Sequence, residues 1–172
     1  MKYYIISAIC SNYGIGNKNE LVWHIQEDMQ FFRENTTNTI IVMGKKTFLS
    51  IPEKRRPLKN RMNIVITSTP DLYENKSNLI FTKIENVFDI VKQCENNFSY
   101  KKCFVIGGES IYKYFLDKVD YLFLTRIHKD YICDKFFPKF EHLFRLEKQS
   151  LDFYSDREDC NFTFEKYKAI GE

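Results

Sequence analysis

Cys103-Phe104-Val105-Ile106-Gly107-Gly108-Glu109-Ser110 is an apolar run that stops on two glycines and passes into a helix-compatible stretch. Such a run reads as a strand buried on both faces, followed here by a helix from Glu109 to about Leu116. The pattern recurs upstream, where Thr39-Ile40-Ile41-Val42-Met43 gives way to Gly44-Lys45-Lys46-Thr47. Outward from these two junctions the chain keeps alternating. Residues 3–10 form an apolar strand, and 12–17 a glycine-containing loop. A helix over 25–35 carries Ile25, Met29 and Phe32 on one face. Strand 63–67 is stopped by Ser68-Thr69-Pro70, and helix 85–95 turns Val87, Val91 and Cys94 inward. After strand 121–127, the arms 145–153 and 161–170, joined by the polar stretch 154–159, predict an antiparallel hairpin. The fold class is therefore α/β, with a largely parallel sheet closed by that hairpin.

Composition narrows the function. The chain has 172 residues, 44% hydrophobic and 16% aromatic, enough for one domain with a substantial core. Twenty-six Lys and Arg against 23 acids leave +3, too little to indicate nucleic acid as the main partner. No apolar run is long enough to span a bilayer. The start, Met1-Lys2-Tyr3-Tyr4-Ile5-Ile6, reads as a strand without a signal-peptide plan, so the expected compartment is the cytoplasm. Five scattered cysteines and three histidines show no metal-ligand spacing; no metal and no disulfide framework are expected.

Both glycine junctions would bring backbone N–H groups to the carboxyl edge of the sheet, where open α/β sheets bind ligands. Lys45 and Lys46 add positive charge, and Thr47 and Ser110 add hydroxyls, which together suit a dinucleotide bearing an extra phosphate. Turn-forming glycines and solvated lysines would account for either junction alone. Neither junction is G-x-G-x-x-G or a P-loop. Asp28 lies between Ile25 and Phe32 and so puts a carboxylate on the apolar face of its helix. Desolvation raises the pKa of such an acid. It either answers a structural donor or holds a ligand through two parallel N–H groups, and spacing does not separate these. Trp23 is either core or a holder of water; Arg61, just before a buried strand, is either a surface residue or a carboxylate clamp.

In order, Ile6-Ser7-Ala8, Ile15-Gly16, Leu21-Val22-Trp23, Asp28, Val42 to Phe48, Ser50-Ile51-Pro52, Arg56 to Arg61, Val105 to Gly108, Ile111-Tyr112, Leu124 to Ile127 and Phe136-Phe137-Pro138 resemble the dihydrofolate reductases along nearly the whole chain. The resemblance implies one domain over 1–172, with an eight-stranded, mostly parallel sheet flanked by about four helices. It implies NADPH-dependent reduction of dihydrofolate to tetrahydrofolate, serving one-carbon metabolism, by a monomer that also binds antifolates. Catalytic roles fall on Asp28, Trp23, Leu21, Tyr112 and Thr125. Substrate contacts fall on Ile6, Ala8, Asp28, Met29, Phe32, Ile51, Leu58, Arg61, Ile106 and Thr125, with the Thr125 hydroxyl supporting Asp28 and Arg61 on the glutamate α-carboxylate. Cofactor contacts fall on Ala8, Ile15, Gly16, Gly44, Lys45, Lys46, Thr47, Thr67, Ser68, Lys83, Ile106, Gly107, Gly108, Ser110, Ile111 and Tyr112, with a cis peptide joining Gly107 to Gly108. The loop 12–23 would act as a lid.

Three positions depart from the family's pattern. Val22 and Gln26 stand where proline is usual, which frees φ in the lid and at the helix start. Glu109 stands where a small residue is common, and its carboxylate would repel a pyrophosphate unless it turned away. A pyrimidine reductase of riboflavin synthesis would lack the Trp23–Asp28 and Leu58–Arg61 blocks. A pterin-binding module without turnover finds support only in Val22 and Gln26. A fused thymidylate synthase is not expected within 172 residues.

Overall fold

The computed structural model describes residues 1–171. The elements follow one another as β1 (Lys2–Cys10), β2 (Gly14–Gly16), α1 (Gln26–Thr36), β3 (Ile40–Gly44), α2 (Lys45–Ser50), β4 (Met62–Ile66), β5 (Leu79–Thr82), α3 (Val87–Phe98), β6 (Lys102–Val105), α4 (Glu109–Phe115), β7 (Tyr121–Ile127), β8 (Lys135–Phe136), β9 (Phe144–Gln149), β10 (Phe153–Ser155) and β11 (Cys160–Ala169). The main sheet has the order β10-β11-β7-β1-β6-β3-β4-β5, with β9 also on β11. From β7 to β5 every pairing is parallel, and only β11 and its partners run antiparallel. Because β9 and β10 share the outer edge of β11, nine strands fill eight positions, in agreement with the expected sheet.

Alternation along each strand divides the core between the two faces of the sheet. Ile5, Ile9, Ile40, Val42, Ile64 and Val105 point one way, against Val87, Val91 and Cys94 of α3 and Ile111 and Phe115 of α4. Tyr4, Ile6, Ile41, Met43, Val65 and Phe104 point the other way, against Phe31 and Phe32 of α1 and Phe48 of α2. Covering both faces is what makes these strands read as continuous apolar runs.

The differences from expectation are local. Strand β5 was not anticipated; its sequence Leu-Ile-Phe-Thr is too short to distinguish from other apolar runs. The first hairpin arm breaks at 150–152, and β10 occupies part of the stretch expected to be the turn; the β9–β11 pairing also shifts register between Lys166 and Tyr167. The glycine loop contributes a small strand, β2, paired with β8. Met29 does not join the apolar face of α1: it is 52% exposed, while Ile25 is buried.

Candidate active site

The carboxyl ends of β1, β3, β4, β6 and β7 gather at one edge. There the N–H of Gly44 donates to Gly107 O (2.9 Å) and that of Ile106 to Val42 O (2.9 Å), tying the two glycine junctions together. The peptide between Gly107 and Gly108 is cis, as expected, and Gly107 has φ +122°, a backbone state that favours glycine. A β-carbon on Gly107 would also lie 3.2 Å from the Tyr112 hydroxyl. Tyr112 is buried, donates to Ile6 O at 3.0 Å, and so joins α4 to β1 under the junction.

Asp28 sits in the first turn of α1, and Thr125, buried on β7, donates to its Oδ1 at 2.6 Å. Burial pushes the Asp28 carboxyl up to about 6, against a smaller opposing effect from the Thr125 hydrogen bond. No cation pairs with Asp28 among the described residues. The acid is therefore a sheltered acceptor poised between ionised and neutral.

Arg61 donates to Lys59 O (2.8 Å) and to Thr36 Oγ1 (3.1 Å) on α1, and it has no carboxylate partner among the described residues. Burial, then neighbouring Arg33, presses its pKa downward. Phe32, Ile51 and Leu58 are half-buried and gather around the α1 side of the sheet, together with Ile106. One residue that the sequence reading treated only as strand, Asn63, organises this corner. It is fully buried on β4, accepts from Leu58 N–H (3.0 Å) and donates to the carbonyls of Leu58 (2.9 Å) and Arg61 (3.1 Å). Its signal was a lone amide in an apolar strand.

On the nucleotide side, Lys45 is half-buried with Nζ 6.0 Å from the Tyr73 ring centre, while Lys46, Ser68, Lys83 and Ser110 are exposed. Lys83 lines a cleft of about 540 Å³ with Tyr73, Asn75, Phe81 and Asn86, residues that the sequence reading did not single out. Thr67 is buried and accepts from Thr69 N–H. A β-carbon on Gly44 would lie 3.1 Å from Ile111, and one on Gly108 would meet only Thr47 Oγ1, at 3.5 Å. Glu109 turns away from this edge: its Oε1 accepts from Phe136 N–H (3.2 Å) and pairs with Lys113 (3.6 Å).

Segment 11–25, between β1 and α1, lies across the end of β1. Ile15 and Gly16 belong to its strand β2, Leu21 is 59% exposed, and Trp23 is buried with Ile25 and Phe162. Trp23 Nε1 is a buried donor with no protein acceptor. The segment is fastened by Lys18 N–H to Asp134 (3.0 Å), Asp134 N–H to Gly16 O (3.0 Å) and His24 N–H to Glu158 (3.2 Å).

A doubly covered parallel sheet whose carboxyl edge holds two glycine junctions, unpaired lysines and one sheltered carboxylate has the make-up of a nucleotide-dependent oxidoreductase. The family described as Dihydrofolate reductase matches residues 2–169. The chain is 39% identical over 136 residues to the dihydrofolate reductase of Bacillus subtilis, covering 79% of this chain and 75% of that protein. It is 32% identical over 156 residues to the enzyme of Sus scrofa, covering 85% and 82%. It is also 38% identical over 149 residues to the bifunctional dihydrofolate reductase-thymidylate synthase of Plasmodium berghei, of which only 25% is matched. The chain belongs to the dihydrofolate reductase family. It is an oxidoreductase, and the reaction that defines its family is the reduction of dihydrofolate to tetrahydrofolate.

Proposed function

We propose that this chain reduces 7,8-dihydrofolate to 5,6,7,8-tetrahydrofolate with NADPH as the donor, and that Asp28 is the one ionisable side chain facing the pteridine. The observation that carries this reading is the Asp28–Thr125 pair, a carboxyl sheltered from water, bonded to one hydroxyl and paired with no cation among the described residues. Its second oxygen and remaining lone pairs suit the N3 and 2-amino donors of a pteridine edge. Ile6, Ala8, Met29, Phe32, Ile51, Leu58 and Ile106 would pack on the rings, which accounts for an exposed Met29 beside a polar helix face. Arg61, already oriented by Thr36 and Lys59, offers its remaining N–H groups to the glutamate α-carboxylate.

The nucleotide edge fits NADPH. Lys45, Lys46 and Lys83 enter no ion pair among the described residues, so they remain available to the phosphates and favour the 2′-phosphorylated form. Thr47, Thr67, Ser68 and Ser110 supply hydroxyls. Gly44, Gly107 and Gly108 allow close backbone approach, and Ala8, Ile15, Gly16, Ile111 and Tyr112 would flank the nicotinamide. When bound, NADPH supplies the hydride that pteridine C6 receives. The unpartnered Trp23 N–H, beside Leu21, would hold a water through which N5 is protonated. Segment 11–25 excludes bulk water and must release to let product leave.

The same reading takes 1–172 as one domain, since a single sheet draws its strands from residue 2 to residue 169. It places a monomer in the cytoplasm and predicts binding of antifolates such as methotrexate. No helix among the described residues is long and apolar enough to cross a membrane. The test is NADPH oxidation on addition of dihydrofolate to the purified chain. Methotrexate-sensitive oxidation, with NADH a poorer donor, is expected. Tight methotrexate binding with no oxidation would reduce the protein to a pterin-binding module.

A further inference from the structure

Two cysteines that the reaction does not use meet beneath the lid. Cys10 is the last residue of β1 and is fully buried; Cys133 lies in the 128–134 connection before β8 and is half-buried. A β-carbon on Gly14 would lie 3.0 Å from Cys10 Sγ and 2.8 Å from Cys133 Cβ, with Cys133 Sγ nearer still. Both sulfurs thus converge on one bare point of the lid backbone, and the glycine leaves room for them. Both cysteines are free in this structure.

Their position gives the pair leverage. Asp134, next to Cys133, holds the lid through Lys18 N–H and Gly16 O. Asn12 accepts from Cys10 Sγ (2.7 Å) and donates to Tyr131 O (3.0 Å), so the same connection is already latched to the end of β1 by hydrogen bonds alone.

We propose that Cys10 and Cys133 form a reversible disulfide under peroxide that pins the lid's anchor to the central strand and slows turnover. A peroxide first oxidises the half-buried Cys133 thiol to a sulfenic acid, its O–O bond breaking and the thiol proton leaving with the second peroxide oxygen as water. Cys10 sulfur then attacks Cys133 sulfur, the S–O bond breaks, and a second water carries off the hydroxyl with the thiol proton. In sum two thiols and one hydrogen peroxide give one disulfide and two waters, and a dithiol reverses the change by exchange. Burial holds the Cys133 thiol up at about 11, which keeps it protonated and makes the step slow without an excess of oxidant. The pinned lid keeps its contacts but loses the swing that admits substrate and releases product.

The effect on turnover rests on the proposed function; the cross-link and its effect on the lid do not. The test is treatment of the reduced full chain with hydrogen peroxide, quenching, and peptide mapping without reductant. Three results are expected: a linked Cys10–Cys133 peptide, slower tryptic cleavage after the exposed Lys18, and a turnover number lower by about five-fold or more, all reversed by dithiothreitol. Cys133→Ser, and independently Cys10→Ala, should keep the basal rate and lose the peroxide response. Separate Cys10 and Cys133 peptides after oxidation overturn the proposal, and so does a cross-link that alters neither Lys18 cleavage nor turnover. A protein that cross-links and protects Lys18 but never reduces dihydrofolate would sustain the thiol pair and refute the proposed function alone.

Discussion

Asp28 links stability and chemistry in one side chain. Its carboxyl stands at about 6 in the folded protein, against 3.8 as the ordinary value. Between those values the folded protein holds a proton that the unfolded chain has lost. Stability therefore falls as pH rises through this window, and the penalty is complete above about pH 6. Asp28→Asn keeps an acceptor for Thr125 and removes the penalty. The variant should gain about 3 kcal/mol at neutral pH and nothing below the ordinary value, measured by denaturant unfolding at both pH values. It should also lose about 10²-fold in turnover together with the break in the pH–rate profile near 6. A normal rate would mean that another group orients the pteridine. Sequence spacing placed Asp28 on the apolar face of its helix; the Thr125 partner, ninety-seven positions away, was implied only by the family resemblance, and the fold bears it out with a 2.6 Å hydrogen bond.

At the scale of elements, β4 does more than fill the sheet. Through Asn63 it sets the loop that carries Leu58 and Arg61, making four hydrogen bonds from a fully buried amide to backbone groups. Asn63→Ala leaves Leu58 N–H and its carbonyl without that partner. A stability loss of about 2 kcal/mol is expected, with KM for dihydrofolate raised several-fold and the turnover number little changed. Equal losses in both kinetic parameters would mean that the loop serves the reacting rings and not the glutamate tail. Elements also mark where sequence reading stops. The strands flanking the glycine junctions were legible because both of their faces are apolar, and α3 because Val87, Val91 and Cys94 recur at helical spacing. Strands β2 and β8 were not, because each is held by pairing with the other and carries little apolar pattern of its own.

For the whole molecule, one sheet draws on nearly the full length of the chain, with β1 at its centre and β6 returning between β1 and β3. Such interleaving leaves no part with a core of its own. Thermal unfolding should therefore be a single transition that coincides by circular dichroism and by Trp23 fluorescence. NADPH at a hundred times its Kd should raise that transition by about 2.7 kcal/mol in stability. Two separated transitions would contradict the single-domain reading, and no shift would remove NADPH as the ligand of this edge.

The sequence by itself determined the α/β class, the two glycine junctions, the candidate carboxylate and the family. These rest on short-range periodicity and on residue types in a fixed order, which need no knowledge of distant contacts. Only the tertiary structure decided that Glu109 turns to Phe136 and Lys113, that Asn63 sets the Arg61 loop, and that Cys10 and Cys133 share one point beneath the lid. The Glu109–Phe136 and Cys10–Cys133 contacts join residues far apart in the chain. The physical reason is that side-chain partners are chosen by which strand ends the sheet order brings together, and no local pattern encodes that order.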